Sequence, residues 1–191
     1  MHDIEPFFRW RDHYIAADDP ASPFFGKMNS EFEFSDAIYN YVIHPQWDSC
    51  GSPTLFLKVL FVDYDRQFAL IELLGEWNDT IQNDIMLLKR EVINPMIDEG
   101  IYKFVFFCDN LLNFHQGDDD YYEEWNEEII GEGGWIAFLD TFDHVGVEMG
   151  DLLAHYIHFG TLFNGIPWRE MEPDWVVDVV EKRLESNRFI L

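Results

Sequence analysis

Four apolar runs, residues 55–62, 68–74, 101–108 and 135–139, are set among stretches whose apolar residues recur every three or four positions. This alternation constrains the fold more than any other feature of the chain. Short apolar strands followed by amphipathic helices assemble into strand-helix units over a sheet, with right-handed crossovers. The first two runs flank Asp63-Tyr64-Asp65-Arg66-Gln67, a link of about five residues suited to an antiparallel hairpin, which Gly75 is expected to end. Asn78 or Asp79 can cap a helix carrying Ile81, Ile85, Leu88 and Val92, with Pro95 interrupting its last turns and Gly100 stopping it. Residues 101–108 are apolar enough to be buried on both faces.

A second helix is expected over 121–130. Asp118, Asp119 and Asp120 can cap it, and Tyr121, Tyr122, Trp125 and Ile129 lie opposite Glu123, Glu124, Glu127 and Glu128. After the strand at 135–139, a helix over 143–159, ending at Gly160, would carry Val145, Met149, Leu152, Leu153, Tyr156 and Phe159 on its apolar face. A last helix begins at Pro173, since proline suits a first turn. The chain of 191 residues is thus read as one α/β domain spanning 1–191. Within it, 1–30 form an irregular aromatic arm, 31–53 a short strand and turn unit, 54–160 the core, and 161–191 a loop and helix. In the second unit, Glu31-Phe32-Glu33-Phe34 has the alternation of a half-buried strand.

From residue 55 the order strand, strand, helix, strand, helix, strand, helix describes a mixed, mostly parallel sheet opened by an antiparallel hairpin. This order resembles that of SpoIIAA-type, or STAS, domains over about half of the chain. The resemblance implies a role in protein contacts of bacterial regulation. Anti-anti-sigma members carry a phosphorylatable Ser or Thr at the start of the helix after a central strand. Here that helix opens with Asp118-Asp119-Asp120, so the resemblance transfers no phosphorylation site and no functional residue.

With 37 acidic and 12 basic residues the chain has a net charge of −25, yet 18 Phe and 7 Trp mark it as folded. Such a charge argues against nucleic-acid phosphates and anionic membrane surfaces, which are bound through basic side chains. No segment has the ~20 apolar residues of a membrane span, and the acidic start lacks the features of a signal peptide. Two cysteines, Cys50 and Cys108, form neither a disulfide framework nor a zinc motif. A cytoplasmic protein is expected.

Between Lys103 and Arg169 there is no lysine or arginine across 65 residues, which carry 13 acids and four of the seven histidines. Two groups stand out. Asp118, Asp119, Asp120, Glu123, Glu124, Glu127 and Glu128 form a candidate face for a protein with a basic surface or for a second copy of the chain. Trp10, Trp47, Trp125, Trp168 and Trp175 would support such an interface, or else belong to the core. Glu148, Asp151, His155 and His158 have the helical spacing at which carboxylate and imidazole share a divalent metal, although His-Glu-x-x-His is absent. Glu72 and Glu76 flank the turn expected at Gly75, and Glu76, Asp109, Asn113, His115, Asp140, Asp143 and His144 fall near the carboxyl ends of the expected strands, where α/β sheets bind ligands. No nucleophile elbow or phosphate-binding loop is present. The functional expectation is a non-enzymatic regulatory or interaction module without a cofactor. The alternative is a metal-dependent hydrolase or divalent-cation-binding protein at the sheet rim.

Overall fold

The strands grow out of the apolar runs but extend beyond them. The structure, a computed structural model, describes residues 4–188. Strands β1 (Ala37–Ile38) and β2 (Tyr41–Val42) make a small antiparallel pair. A five-stranded sheet runs in the order β3 (Asp48–Ser49), β4 (Leu55–Asp63), β5 (Phe68–Asn78), β6 (Lys103–His115) and β7 (Trp135–Leu139). The pairs β3–β4 and β4–β5 are antiparallel, while β5–β6 and β6–β7 are parallel. The helices are α1 (Asp84–Leu88), α2 (Asn94–Asp98), α3 (Asp120–Ile130), α4 (Asp143–Leu153) and α5 (Pro173–Arg188). The expected α/β domain with a mixed sheet opened by an antiparallel hairpin is therefore present, but the sheet is not mostly parallel, because β3 adds a second antiparallel pairing on β4 and leaves two pairings of each kind.

Both faces of the sheet are covered. On one, Ala69, Ile71, Leu73, Phe104 and Phe106 meet Ile85, Leu88 and Val92 of the first helical segment, Tyr122, Trp125 and Ile129 of α3, and Val145 and Met149 of α4. On the other, Phe68, Leu70, Val105 and Phe107 meet Trp10 of the arm, Trp168, and Val176, Val177 and Val180 of α5. Four of the five tryptophans proposed for an interface, Trp10, Trp47, Trp125 and Trp168, are thus core; Trp175 alone among them is exposed. At about 25 cal/mol per Å² of apolar surface, such large rings dominate the burial energy.

Strand β5 is the axis of this arrangement, with all eleven residues buried. Gly75 does not end it. The chain continues to Asn78, and Gly75 adopts φ +110°, where a Cβ would lie 2.1 Å from the Thr54 carbonyl oxygen. That same oxygen accepts a hydrogen bond of 2.9 Å from the Glu76 N–H. The glycine therefore allows close backbone approach within a strand rather than a turn after it.

Four other expectations are corrected. Residues 31–34 form no strand and lie exposed. The helix after β5 begins at Asp84, not at Asn78 or Asp79, because those residues close a turn: the Ile81 N–H donates to Asn78 Oδ1, leaving Ile81 77% exposed. Pro95 does not break the segment. A π-helical stretch, Lys89–Ile93, joins α1 to α2, with the Asn94 N–H donating to the Lys89 carbonyl, and its wider turn accommodates a proline that lacks a donor. The fourth helix stops at Leu153 and is already broken by Gly150 (φ 63°, ψ −175°). Beyond it His158 pairs with β7 as a short parallel bridge to Ala137, through His158 N–H to Ile136 O at 2.9 Å and Phe138 N–H to His158 O at 2.8 Å. This pairing satisfies backbone groups along an otherwise open sheet edge.

Gly75→Ala is expected to destabilise the domain by about 2–4 kcal/mol, since it combines a positive φ with a backbone clash. Urea unfolding with an unchanged m-value checks this.

Candidate functional site

At the carboxyl ends of the parallel strands, β6 departs twice from regular pairing with β5, between Glu72 and Leu74 and between Gly75 and Glu76. Bulges re-aim side chains, and here they bring Asp109 and Asn110 toward Glu72. Glu72 is completely buried. Its Oε2 accepts from the Phe7 N–H at 2.7 Å, and its Oε1 from Arg169 at 2.8 Å and Asn110 at 3.3 Å. Arg169 also binds Asp109. The guanidinium lies 4.2 Å from the centre of the Trp168 ring, which stacks on Phe107 at 3.7 Å. Asp140, at φ 53°, lies close enough to Asp109 to feel its charge.

Burial raises the Glu72 pKa, opposed by the Phe7 N–H and by Arg169. Asp140 is raised first by burial and then by Asp109. Glu72 and Asp109 therefore share one arginine, and Asp109 Oδ1 is buried without a hydrogen-bond partner. Such a group can hold protons or receive a hydrogen-bond donor. Of the residues expected at the rim, Asp109 and Asp140 meet here with Glu72.

Glu76, Asn113 and His115 meet elsewhere. Glu76 Oε1 accepts from Tyr39 O–H at 2.9 Å and Asn78 at 3.3 Å, and Asn113 donates to Oε2 at 3.4 Å. His115 Nε2 lies 3.7 Å from Glu76. Asp143 opens α4, and His144 contacts the Leu112 carbonyl at 2.8 Å. The expected rim is thus divided into separate groups.

Asp79 ties the tip of β5 to two helices. Its Oδ1 accepts from Trp77 Nε1 and the Ile85 N–H, both at 2.8 Å, and its Oδ2 from Tyr122 O–H at 2.6 Å. Burial outweighs these bonds and lifts its pKa to about 6.

The proposed acidic face is not uniform. Lys89, 1% exposed in the π-helical stretch, bonds Glu124 at 2.8 Å, Glu128 at 2.9 Å and Asn94 at 2.9 Å. Asp119 stands at the start of α3 but makes no side-chain cap; its Oδ2 accepts from Tyr156 O–H at 2.9 Å. Asp118, Asp120, Glu123 and Glu127 are exposed. The sequence reading missed Lys89 and Arg169, the bases that answer these acids. Lys89 carried a signal, falling one residue after Leu88 on the apolar side of its helix.

Glu148, Asp151, His155 and His158 do not share a helix face. Gly150 breaks the helix between the first two, and the histidines lie beyond its end, His158 in the bridge to β7. Among the described residues no group of three or more His, Cys, Asp or Glu side chains is placed to hold a metal ion.

The fold and these groups define a three-layer α/β domain with a carboxylate-arginine cluster at its sheet rim. No protein-family model matches the chain, and no curated protein does so significantly.

Two outcomes are expected. Replacing Glu124 and Glu128 together by Gln leaves a buried ammonium without counter-charge and costs about 3 kcal/mol, whereas the same change at Glu123 and Glu127 stays within about 0.5 kcal/mol; chemical denaturation of the two double variants compares them. For Asp79 the folded pKa of about 6 lies above an unfolded value of about 3.9. The folded state binds the extra proton between them, so the Asp79 contribution falls as pH rises from about 4 to about 6, by 1–3 kcal/mol, and is flat above. Asp79→Asn keeps the Oδ1 acceptor and removes this slope, so the stability difference between variant and wild type should shift in the variant's favour across that window.

Proposed function

We propose that the chain is a non-enzymatic, regulatory protein-interaction module that docks through residues 25–41 onto a partner whose surface is apolar and basic. The observation that carries this reading is the exposure of that segment: Phe25, Met28, Phe32, Tyr39 and Tyr41 are 59%, 92%, 85%, 68% and 67% exposed. Clustered exposed apolar side chains of this size mark interaction surfaces, and aromatics with methionine are enriched in interface cores. Glu31, Glu33 and Asp36 are interleaved with them and exposed, which favours a partner rich in Lys and Arg.

The segment is held in place rather than loose. Gln46 donates to the Asn29 and Ser30 carbonyls at 3.2 and 3.0 Å, Ser30 Oγ accepts from the Phe32 and Glu33 N–H groups, and Tyr39 is tied to Glu76. Such preorganisation lowers the entropy lost on binding. The outward acids of α3, Asp118, Asp120, Glu123 and Glu127, offer a second surface of the same sign. The strand-helix order that resembles STAS domains, which act through protein contacts, agrees with this role, as does a cytoplasmic setting for two buried free thiols, Cys50 and Cys108. The metal-dependent alternative has less support, since among the described residues no group of three or more His, Cys, Asp or Glu side chains is placed to hold a metal ion.

The test places a photo-crosslinking residue at Phe32 in cells, followed by titration of the recombinant captured protein. A partner with a basic, apolar surface is expected. Its affinity should fall at least about tenfold with Met28→Ser/Phe32→Ser and should weaken with salt. Capture of the chain by itself, confirmed by light scattering, would identify the partner as a second copy. Absence of any crosslink, or unchanged affinity in the double variant, overturns the reading.

A further inference from the structure

We infer that the cavity between the N-terminal arm and the open edge of β4 binds a small organic carboxylate with an apolar body. Strand β3 covers β4 only at Phe56 and Leu57. Beyond that point no backbone hydrogen bond joins the arm to β4 among the described residues, and a cavity of about 290 Å³ remains between them. This is close to the lower end of the range for small-molecule sites.

Its charge is opposite to that of the protein. Arg11, Lys27 and Lys58 line it, three of the chain's 12 bases, against Glu31 alone among 37 acids. Lys58 and Lys27 both face the buried Asp48, at 2.9 and 3.8 Å. One carboxylate thus serves two ammonium groups, and Arg11 adds a further exposed positive charge. An anion entering the cavity completes this balance, and the partly buried site strengthens the attraction relative to water.

The remaining walls select an apolar body. Phe7, Ile15, Met28, Val59 and Leu60 are among them, and only Asn29, Gln46 and Tyr14 of the rest carry polar side chains. Phe7 also donates its N–H to Glu72, so the cavity wall is anchored to the rim cluster. Lys27, Met28 and Glu31 belong both to this lining and to the segment proposed for docking, whereas Arg11 lies outside that segment, so Arg11→Gln tests the cavity apart from the docking role.

The test is calorimetric titration of the full chain with octanoate and phenylacetate, each beside its alcohol, octanol and 2-phenylethanol, and with inorganic sulfate. Saturable binding of the carboxylates at one site is expected, with the alcohols and sulfate at least about tenfold weaker, because charge and apolar surface are both recognised. Arg11→Gln and Lys27→Gln, chosen because neither base is buried, should each weaken the carboxylates roughly threefold or more and leave the alcohols unchanged. Melting curves equal to wild type establish that the variants fold. Equal binding of acid and alcohol, sulfate as tight as octanoate, insensitivity to both substitutions, or no saturable binding overturns the assignment.

Discussion

A carboxylate sits in the middle of a strand that is sealed on both faces. Glu72 has no exposed surface, and its two flanking residues on the same side of β5, Leu70 and Leu74, belong to apolar clusters. An uncompensated charge there costs several kcal/mol. The second layer of the domain supplies the compensation: the arm contributes the Phe7 N–H, and the segment before α5 contributes Arg169. Trp168 and Phe107 hold that arginine in position by stacking beneath it. Arm, sheet rim and C-terminal segment are therefore joined by one electrostatic requirement as well as by apolar burial.

The same logic governs the distribution of the few bases. Lys89 and Lys58 are both at least four-fifths buried in their side chains and answer Glu124 with Glu128, and Asp48, respectively. Most surface carboxylates are left to water, which solvates them at little cost, while Arg66 pairs with the exposed Asp174 and Asp178. A net charge of −25 is in this way compatible with a stable fold, because the acids that burial would penalise are the ones given partners. The three basic residues around the arm cavity are the exception, since their single buried acid is already shared between two of them.

Element type was legible in the sequence because it depends on local period: the apolar runs became β4, β5, β6 and β7, and α5 starts at the proline that suited a first helical turn. Element ends were less legible. Gly75 carries the same signal whether it ends a strand or admits a neighbouring carbonyl, and only the approach of Thr54 distinguishes the two. Gly150 similarly reads as a tolerated helix residue until its backbone is seen to leave the helix. The site was least legible, since its partners are distant in the chain: Lys89 lies 35 residues from Glu124, and Arg169 lies 97 from Glu72. No local pattern encodes such a pairing, although a lysine on an apolar helix face and a glutamate inside an apolar run both signal that a partner must exist.

This division bears on what the base-free stretch from 104 to 168 can do. Its acids fall into three populations with different physics. Asp109 is drawn into the rim cluster and pairs with Arg169 from just beyond the stretch, and Asp140 feels the Asp109 charge. Glu124 and Glu128 belong to Lys89, and Asp119 accepts from Tyr156. Asp118, Asp120, Glu123 and Glu127, with Glu132, Asp143, Glu148 and Asp151, remain exposed to solvent. Only the last group is free to attract a partner without first breaking an interaction within the domain. Any electrostatic contact made by α3 must therefore run along this narrower set, and removing the other acids would weaken the fold before it weakened binding.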